Sequence, residues 1–547
     1  MKKKLLAIIL AVMCATTLIT GCGGGNGDTS SGDDSDTAKQ FDTPGGKKYD
    51  ELVEITSVRS VGASIVFNEG DTIEDNIWTR TALEEYNIKL KYLWTVPDAQ
   101  YAEKMSLMYS SGDLPDFLSV DIGAFETLYQ EDQLQPIGDI ADQYLSTFNQ
   151  GLLKDSDGGA AQLLATKDEK RYAIVQPAGH EENSYIMWIR QDWLDTLGLD
   201  APKTFDELTN VLKSFYENDP AGTGKKNYIP LGLSTTSWTG SINGLYNVLG
   251  AYKSIWLKKG DEYVYSSIQP EMKEALKQIA NYYKLGYISP TYYNAQDSRI
   301  AELMGLNRMG VVFANYVSGI PIADGWAKNG ANWVTYPLPA MTEGAYPAKS
   351  QISSDPSNFW VVTKDCKNPE AVMKLMNLFS DKVINDPIHY NTDENNITIW
   401  HYMWPTIHPA MGNTQSYLKI REAEKNGTTD QLTGTDLSNY QKGLAYENGS
   451  TDKMDWAMHA IFGKDSALKT VYENYVKPEN YIRDAWAKPS TATMKEKKGE
   501  LLNFEEETFK AIITGQKPID YFDTFVAEWK RLGGTQITQE VNASMKQ

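Results

Sequence analysis

Four tryptophans lie in polar, turn-rich stretches of the sequence, where a large apolar ring has few neighbours to pack against: Trp238, Trp326, Trp400 and Trp404. A sugar presents C–H groups on its faces and hydroxyls around its rim, so a sugar site needs flat aromatic faces together with amide or carboxylate groups. Because an exposed tryptophan without a ligand is a liability, these rings favour a binding cleft. For any one of them, packing beneath a loop is the alternative.

Paired carboxylates would indicate a glycoside hydrolase, and the 72 acidic residues could supply many pairs. No pair is marked out by its flanking sequence, however. The five histidines lack the His-Glu-x-x-His or any other metal-ligand spacing, and the sequence contains neither a Gly-x-Ser-x-Gly elbow nor a Walker phosphate loop. We therefore predict no catalytic residues, no metal site and no cofactor.

The elements that must position such residues are short strands and longer helices. From Glu51 onward, short apolar runs alternate with amphipathic stretches, which is typical of an α/β fold. The alternation over 88–94 predicts a strand, as does the short apolar run over 117–120. Helical spacing over 99–111 predicts a helix that ends at Gly112.

Local capping signals predict where other helices begin. Thr204 and Glu207 have the spacing of a capping box. Further helices are predicted over 270–286, 368–379, 504–514 and 518–532. The length beyond Glu51, about 500 residues, exceeds what one core usually organises, so we expect at least two lobes.

The N-terminus has the pattern of a lipoprotein signal peptide. Three lysines at 2–4 precede an apolar stretch, 5–19, that is too short for a comfortable membrane span. Residues 19–22 (Ile-Thr-Gly-Cys) then resemble a bacterial lipobox, whose cleavage leaves Cys22 as a diacylated N-terminus. An ordinary signal peptide with a chance cysteine is the alternative.

We predict a signal peptide over 1–21 and a flexible tether over 22–50, because the Gly, Ser, Asp and Thr of that stretch cannot offset their ordering entropy. Without the signal lysines, 49 basic residues (52 less 3) face 72 acidic ones, a net charge of −23. That balance excludes nucleic acid, whose phosphates need a basic surface.

The cysteines exclude a disulfide within the folded chain. Cys14 leaves with the signal peptide and Cys22 carries lipid, so Cys366 remains alone. The fold must therefore stand on its own core. We interpret Cys366 as a small packed residue rather than a nucleophile, since no histidine lies near it in the sequence.

Three motifs, in this order and spacing, resemble one protein family. Residues 111–116 (SGDLPD) resemble a turn of that family. Residues 189–199 (IRQDWLDTLGL), with a Pro-Lys-Thr segment and Glu207 after them, resemble a second of its segments. Residues 513–534 resemble the family's C-terminal signature. Together these segments resemble extracellular solute-binding proteins of family 1, in the maltose-binding-protein-like class, and within it the long lipoproteins of Gram-positive bacteria.

The resemblance covers most of residues 51–545 and implies a type II periplasmic-binding-protein fold. In that fold two α/β lobes are joined by a multi-strand hinge and close on a ligand held between them. Carried onto this sequence, lobe 1 comprises 51–185 and 350–390. Lobe 2 comprises 186–349 and 391–547.

Positional similarity to the family, together with the loop tryptophans, predicts eight ligand-binding residues. They are Asn76, Trp78, Asp121, Asn183, Trp238, Tyr316, Trp326 and Trp404. Asp121 follows a lobe 1 strand, where lobe 1 loops are expected to meet ligand. Tyr316 follows a predicted lobe 2 strand.

Residues 219–227 resemble a loop that is EF-hand-like and binds calcium in many relatives. Here the third, fifth and ninth positions are Ala221, Thr223 and Asn227, so Asp219 is the one carboxylate left among the usual ligands. A hard dication needs several oxygen ligands, preferably anionic. We therefore predict that calcium binding at this loop is weak or absent.

The aromatic content, 14 Trp, 32 Tyr and 15 Phe, suits a saccharide better than a metal. With the resemblance, it predicts a lipid-anchored protein on the extracellular face of the cell membrane that captures a carbohydrate for an ABC-type importer. The expected partners are the carbohydrate, an oligosaccharide, and the permease subunits, with the chain itself monomeric and held to the membrane by its lipid alone. A secreted glycoside hydrolase and a peptide-binding or sensor lipoprotein are the alternatives.

Overall fold

The computed structural model describes residues 46–546, apart from short gaps at 63–64, 155–158, 177, 223, 225–226, 236–238, 355, 357, 392–396 and 433. The predicted signal peptide, the lipidated Cys22 and most of the predicted tether lie outside the described residues. The predicted tether runs to residue 50, but Tyr49 already docks on the fold. Its N–H donates to the carbonyl of Tyr86 at 3.1 Å and its hydroxyl donates to Glu370 at 2.7 Å.

Strands are short and spread along the described chain. They are β1 (Val53–Ser60), β2 (Ile88–Val96), β3 (Phe117–Val120), β4 (Thr166–Lys167), β5 (Lys170–Arg171), β6 (Ala173–Gln176), β7 (Ile186–Arg190), β8 (Leu231–Gly232), β9 (Trp256–Lys259), β10 (Glu262–Tyr265), β11 (Val311–Ala314), β12 (Trp333–Tyr336), β13 (Ser350–Ile352), β14 (Asn358–Val362) and β15 (Tyr481–Arg483).

Helices separate these strands and fill the C-terminal third. They are α1 (Ile77–Tyr86), α2 (Asp98–Ser111), α3 (Ile122–Gln130), α4 (Gly138–Tyr144), α5 (Thr147–Leu152), α6 (Ala160–Leu164), α7 (Gln191–Leu197), α8 (Phe205–Glu217), α9 (Ile242–Val248), α10 (Pro270–Leu285), α11 (Asp297–Gly305), α12 (Gly319–Asn329), α13 (Glu370–Asn385), α14 (Pro387–Tyr390), α15 (Gly412–Asn426), α16 (Gly434–Glu447), α17 (Lys453–Phe462), α18 (Ala467–Val471), α19 (Ala492–Ile513), α20 (Tyr521–Trp529) and α21 (Thr535–Met545). No helix among the described residues is long and apolar enough to cross a membrane.

One sheet contains strands that are distant in sequence. β14 lies between β3 and β6 and runs antiparallel to both, so the chain leaves this sheet after β6 and returns to it much later. The parallel pair β1 and β2 sits beside it. Thr56 connects the two, because its main-chain N–H and its hydroxyl both donate to the Asp116 carboxylate at 2.7 Å.

A second sheet has the order β12, β7, β11, β8. β7 runs antiparallel to β12 and β11, and β8 runs parallel to β11. All five residues of β7 are buried, as expected for a nearly continuous apolar run in the middle of a sheet that is covered on both faces. The mixture of sheets and covering helices confirms the predicted α/β fold class.

The buried apolar side chains form three groups. The largest draws its members from residues 186–348 and 417–541, and the other two draw theirs from 53–175 and 359–407. The two-lobe division stays a prediction. It assigns residues 391–547 to lobe 2, whereas Ile399 and Tyr402 pack in one core with Trp78.

The chain passes between these groups after β6, after β13 and before α15, and two of the connecting segments touch. The Gln176 side chain donates to the carbonyl of His408 at 2.7 Å and accepts from its N–H at 3.1 Å. A Cβ at Gly179 would lie 1.6 Å from the carbonyl oxygen of Ala410. Only glycine permits this approach of two backbones.

Local sequence signals placed several elements correctly. The strands at 88–94 and 117–120 and the helix at 99–111 are present. The capping box also forms, because Thr204 Oγ1 accepts from the Glu207 N–H at 3.2 Å and the Glu207 carboxylate accepts from the Thr204 N–H at 3.1 Å. Cys366 is buried, which raises the pKa of its thiol to about 12, and its predicted role as a packed residue is confirmed.

Predicted helix ends were wrong where packing extends a helix beyond its local signals. α13 continues past Phe379 to Asn385, because Val383 still packs against the core. α19 begins at Ala492 rather than near 504, since the buried Leu501 continues its apolar stripe. Beyond a kink at Gly533, whose φ is 133°, α21 is a further helix that the sequence analysis missed.

Candidate ligand-binding site

A cavity of about 740 Å³ lies where several strand ends meet a turn from far along the chain. Its wall draws on the end of β1, one face of α2, the junction of β3 with α3, and the turn at 400–406. In α/β proteins, ligands commonly bind outside the ends of sheet strands. The volume lies in the range of small-ligand sites, and this cavity is therefore the candidate site.

Four aromatic side chains line the cavity: Tyr101, Tyr109, Trp400 and Trp404. The Trp404 indole meets Trp360 edge to face with ring centroids 4.6 Å apart, and Trp360 is only 2 % exposed. The ring of Trp400 packs against His408, with 5.2 Å between centroids. Both tryptophans are half-buried, and each packs against a neighbouring ring. This packing fixes the flat surfaces that they contribute to the wall.

Arg59, at the end of β1, ties the 400–406 turn to the sheet. Its Nη1 donates to the carbonyl of Tyr402 at 3.0 Å, and its Nη2 donates to the carbonyl of His401 at 2.9 Å. Its Nε donates to the carbonyl of Ser60 at 3.2 Å, and only 5 % of the residue is exposed. Arg59 therefore holds the aromatic wall in place by binding main-chain oxygen atoms.

Trp78 is a second anchor of the same turn. Its Nε1 donates to the carbonyl of Ile399 at 3.0 Å, and the residue is fully buried. On the other side, the hydroxyl of Tyr402 donates to the carbonyl of Val66 at 2.5 Å. The turn that carries Trp400 is therefore bonded to the loop after β1, to β1 and to α1.

Neutral polar groups and two carboxylates complete the lining. The neutral ones are Ser60, Ser106, Ser119, Asn358 and Thr406. Asp98 lies in the first turn of α2, and Asp121 caps α3 by accepting from the Ala124 N–H at 2.8 Å. The lining therefore offers hydroxyls, an amide and carboxylates beside its aromatic surfaces, a combination that suits the rim and faces of a sugar.

Two histidines beside the tryptophans are held neutral. Burial, with the charge of Arg59 as a lesser cause, lowers the pKa of His401 below its usual 6.5. Burial, with a smaller contribution from His401, lowers the pKa of His408 to about 4. Both imidazoles are therefore uncharged near neutral pH.

Two of the eight predicted ligand-binding residues, Asp121 and Trp404, lie in this cavity. Asn76 and Trp78 are instead fully buried. The Asn76 side chain caps α1 by accepting from the N–H groups of Trp78 and Thr79, and it donates to the carbonyls of Thr72 and Ile73. The roles that the structure gives this pair are a helix cap and an anchor for the 400–406 turn.

Asn183 and Tyr316 lie together in a different place, where the connections between the core groups meet. The buried Glu182 accepts from the Tyr316 hydroxyl at 3.2 Å, from Asn413 Nδ2 at 3.2 Å and from the Thr414 N–H at 3.0 Å. Asn183 Oδ1 accepts from Asn315 Nδ2 at 3.4 Å. Burial raises the pKa of Glu182, and these donors oppose that rise.

Trp326 packs between helices. Its ring stacks on Trp456 with centroids 5.7 Å apart and planes 15° apart, and it meets Tyr446 edge to face. This is the packing alternative that the sequence analysis left open. Trp238 lies outside the described residues.

The predicted calcium-like loop engages its one carboxylate internally. Asp219 accepts from the Tyr228 hydroxyl and from the Gly224 N–H. Within the described part of the chain, no three His, Cys, Asp or Glu side chains are arranged to hold a metal ion. Weak or absent calcium binding stays a prediction, since residues 223, 225 and 226 of the loop lie outside the described residues.

Several lining residues were missed by sequence reasoning. Arg59 reaches the 400–406 turn across more than 340 positions, and nothing local to β1 signals that contact. Asp98 did carry a signal, because a proline followed by an acidic residue is typical of a helix start, here α2. Trp400 stood out in the sequence beside Trp404 but was not among the eight predicted residues.

Helices cover the three-stranded and four-stranded sheets, and a cavity with aromatic side chains in its wall lies at the strand ends. These features are those of an α/β ligand-binding protein. The chain belongs to the bacterial extracellular solute-binding protein family, whose model matches residues 67–382. The predicted family membership is confirmed.

Individual relatives match this chain over most of its length. The polygalacturonan/rhamnogalacturonan-binding protein YtcQ of Bacillus subtilis is 23% identical over 472 residues, which cover 84% of this chain and 86% of YtcQ. An HMO-binding solute-binding protein of Bifidobacterium longum infantis has a TM-score of 0.63 at 16% identity, covering 90% of this chain and 98% of its own. FusA of Streptococcus pneumoniae, solved with kestose, has a TM-score of 0.61 at 16% identity, covering 90% and 99%. These structural likenesses confirm the predicted type II fold.

Proposed function

We propose that this chain captures an oligosaccharide in the cavity beneath the 400–406 turn and passes it to an ABC-type importer. The observation that carries the proposal is the pair of half-buried tryptophans, Trp400 and Trp404, set among serine, threonine and asparagine side chains. Flat rings cover the C–H faces of a sugar, and the neutral polar groups meet its hydroxyls. YtcQ, which is similar over most of this chain, is named for binding polygalacturonan and rhamnogalacturonan, which supports a carbohydrate ligand.

Release of the ligand unchanged is part of the proposal. A glycoside hydrolase needs one carboxyl group that keeps a proton to protonate the leaving group. The family to which the chain belongs is one of solute-binding proteins, and the relative YtcQ is named as a binding protein. Both comparisons support binding better than hydrolysis.

Closure of two lobes on the ligand is also proposed. The largest core group would form the interior of one lobe, and the other two groups together would form the interior of the other. The connections after β6, after β13 and before α15 would form the hinge. The hydrogen bonds of Glu182 join the connection after β6 to Tyr316 and to the start of α15. A buried and well-bonded hinge lets two rigid bodies rotate about a fixed line.

The proposed location is the extracellular face of the cell membrane. Cys22 would be diacylated after removal of residues 1–21, and the tether would hold the folded part clear of the lipid headgroups. The chain would act as a monomer and contact the permease subunits after closure. The lipobox-like sequence at 19–22 supports this anchoring.

The direct test is to incubate the purified protein with neutral tri- to pentasaccharides of the fructo-, galacto-, manno-, xylo- and malto- series. At least one should raise the melting temperature, as mass action requires, and chromatography should recover it intact. Recovery of cleaved sugar would favour the hydrolase. Stabilisation by peptides alone would favour a peptide-binding lipoprotein, and either result would contradict the proposal.

A further inference from the structure

We propose that the cavity selects an uncharged glycan and rejects uronates, although YtcQ is named for binding polygalacturonan. This inference rests on the proposed function, since it specifies which class of oligosaccharide the same cavity takes. It comes from the placement of the charged groups in the wall. The described lining contains two carboxylates, Asp98 and Asp121, and one guanidinium, Arg59, which sum to a formal charge of −1.

The two carboxylates occupy the positions at which the cavity could otherwise have attracted an anion. A helix N-terminus carries partial positive charge and free N–H groups, so it favours an acidic ligand. α2 and α3 both begin at the cavity wall. Asp98 fills the first turn of α2, and Asp121 accepts the Ala124 N–H of α3 at 2.8 Å, so each N-terminus is already matched by a carboxylate of the protein.

Both aspartates are exposed, so a ligand meets their charge directly. A uronate carboxylate placed near either one would experience like-charge repulsion that salt can screen. The hydroxyls of a neutral sugar would instead donate to the same oxygen atoms. The carboxylates therefore attract neutral sugars and repel acidic ones.

The one permanent cation of the described lining is poorly placed to reverse this preference. Arg59 is 5 % exposed, and each of its three nitrogens donates to a main-chain carbonyl. Its guanidinium carbon also lies 5.0 Å from the ring centroid of Trp404. To form a bidentate bond with a uronate, Arg59 would have to release the turn that carries the aromatic wall. His401 offers no second cation, because burial and Arg59 keep it neutral.

The test compares two ligand panels by titration calorimetry. The neutral panel is the one given above, and the acidic panel consists of oligogalacturonates of matching length, together with their methyl esters as an uncharged form of the same chain. The intact protein should bind at least one neutral sugar and should bind free oligogalacturonates about tenfold or more weakly, or not at all. Raising NaCl from about 0.02 M to about 0.5 M should bring the affinity for oligogalacturonates closer to that for neutral sugars, because salt screens the repulsion.

The matched variants are Asp98→Asn/Asp121→Asn and Asp113→Asn/Asp132→Asn, the second pair lying outside the cavity lining on exposed positions. Both remove two negative charges, but only the first should raise the ratio of oligogalacturonate to neutral affinity, by about tenfold. Tight binding of free oligogalacturonates by the unaltered protein, or an equal change in both variants, would overturn the inference and leave the proposed function standing. If no sugar of either panel binds, the proposed function itself is overturned.

Discussion

The guanidinium carbon of Arg59 lies 5.0 Å from the ring centroid of Trp404, while the same guanidinium donates to the carbonyls of His401 and Tyr402. One side chain at the end of β1 thus positions both the backbone of the 400–406 turn and the face of its second tryptophan. A cation–π contact of this kind contributes about 0.5–2 kcal/mol, and hydrogen bonds from a charged donor contribute about 1.5–3 kcal/mol each. The cavity wall therefore depends on a contact between two segments that lie more than 340 positions apart in the sequence.

Replacing Arg59 with methionine should destabilise the protein and weaken sugar binding together. The carbonyls of His401 and Tyr402 would lose their donor, so we expect a loss of about 2–4 kcal/mol in the free energy of unfolding, measured by urea denaturation. The control is Arg299→Met, which removes an exposed ion pair with Glu302 and should cost less than about 1 kcal/mol. Equal stability of the two variants would contradict the role given to Arg59.

Removing the hydroxyl of Tyr316 should affect the hydrogen bonds around Glu182 rather than the proposed sugar site. In Tyr316→Phe, Glu182 loses one donor and the Asn413 amide loses the acceptor that it contacts at 2.6 Å. We expect a loss of about 1–3 kcal/mol in unfolding free energy, whereas Tyr521→Phe, on the half-buried start of α20, should change it little. A variant of normal stability that no longer binds sugar would instead favour direct ligand contact by Tyr316.

The pH dependence of stability should contain a contribution from His408. Its pKa is lowered from 6.5 to about 4 in the folded state, so between these values the unfolded chain takes up a proton that the folded chain refuses. Stability is therefore fully present above pH 6.5 and is lost as the pH falls toward 4, by about 2–3 kcal/mol for this one group.

His408→Gln should remove this pH-dependent contribution to the free energy of unfolding and leave the contributions of the carboxylates in place. Its stability at pH 7 will be lower, because the contacts of the ring with Trp400 and Phe379 are lost, so the informative quantity is the difference between pH 7 and pH 4.5. Urea denaturation at the two values measures it. An unchanged difference would contradict a buried, neutral His408.

Cys22 should decide where the protein is found. The unaltered protein should sediment with membranes and incorporate labelled fatty acid, because two acyl chains give stable anchoring. In Cys22→Ala the labelled fatty acid should not be incorporated, because the thiol that carries it is gone, and residues 1–21 should stay uncleaved. Incorporation of labelled fatty acid by the variant, or normal cleavage before residue 22, would contradict the lipobox interpretation of residues 19–22.

Local chemistry explains most of what the sequence predicted correctly. The Thr204–Glu207 capping box and the strand Phe117–Val120 depend on neighbours within a few residues, so their signals are complete in a short window. Asp121 and Trp404, chosen for their positions after a strand and in a polar turn, line the candidate cavity, and their contact with a ligand stays a prediction.

The rest depends on contacts that are distant in sequence. Asn76 was predicted to bind ligand, yet its spacing to Thr79 already contains the reciprocal cap that the structure shows. Trp78 gives no local sign that Ile399 will accept its indole N–H across 321 positions. The wall of the cavity is built from such contacts, which is why the sequence suggested its aromatic character but not its framework.

We propose that the sugar binds in the cavity bounded by Arg59, Trp400 and Trp404. Titration calorimetry of the purified protein with the neutral oligosaccharide that gives the largest thermal shift tests it, in the unaltered chain and in Trp404→Ala and Trp326→Ala. We expect one site per chain, a loss of affinity of about tenfold or more in Trp404→Ala, and unchanged affinity in Trp326→Ala, whose ring packs against Trp456 and Tyr446. Unchanged affinity in Trp404→Ala, with the loss in Trp326→Ala instead, would contradict it.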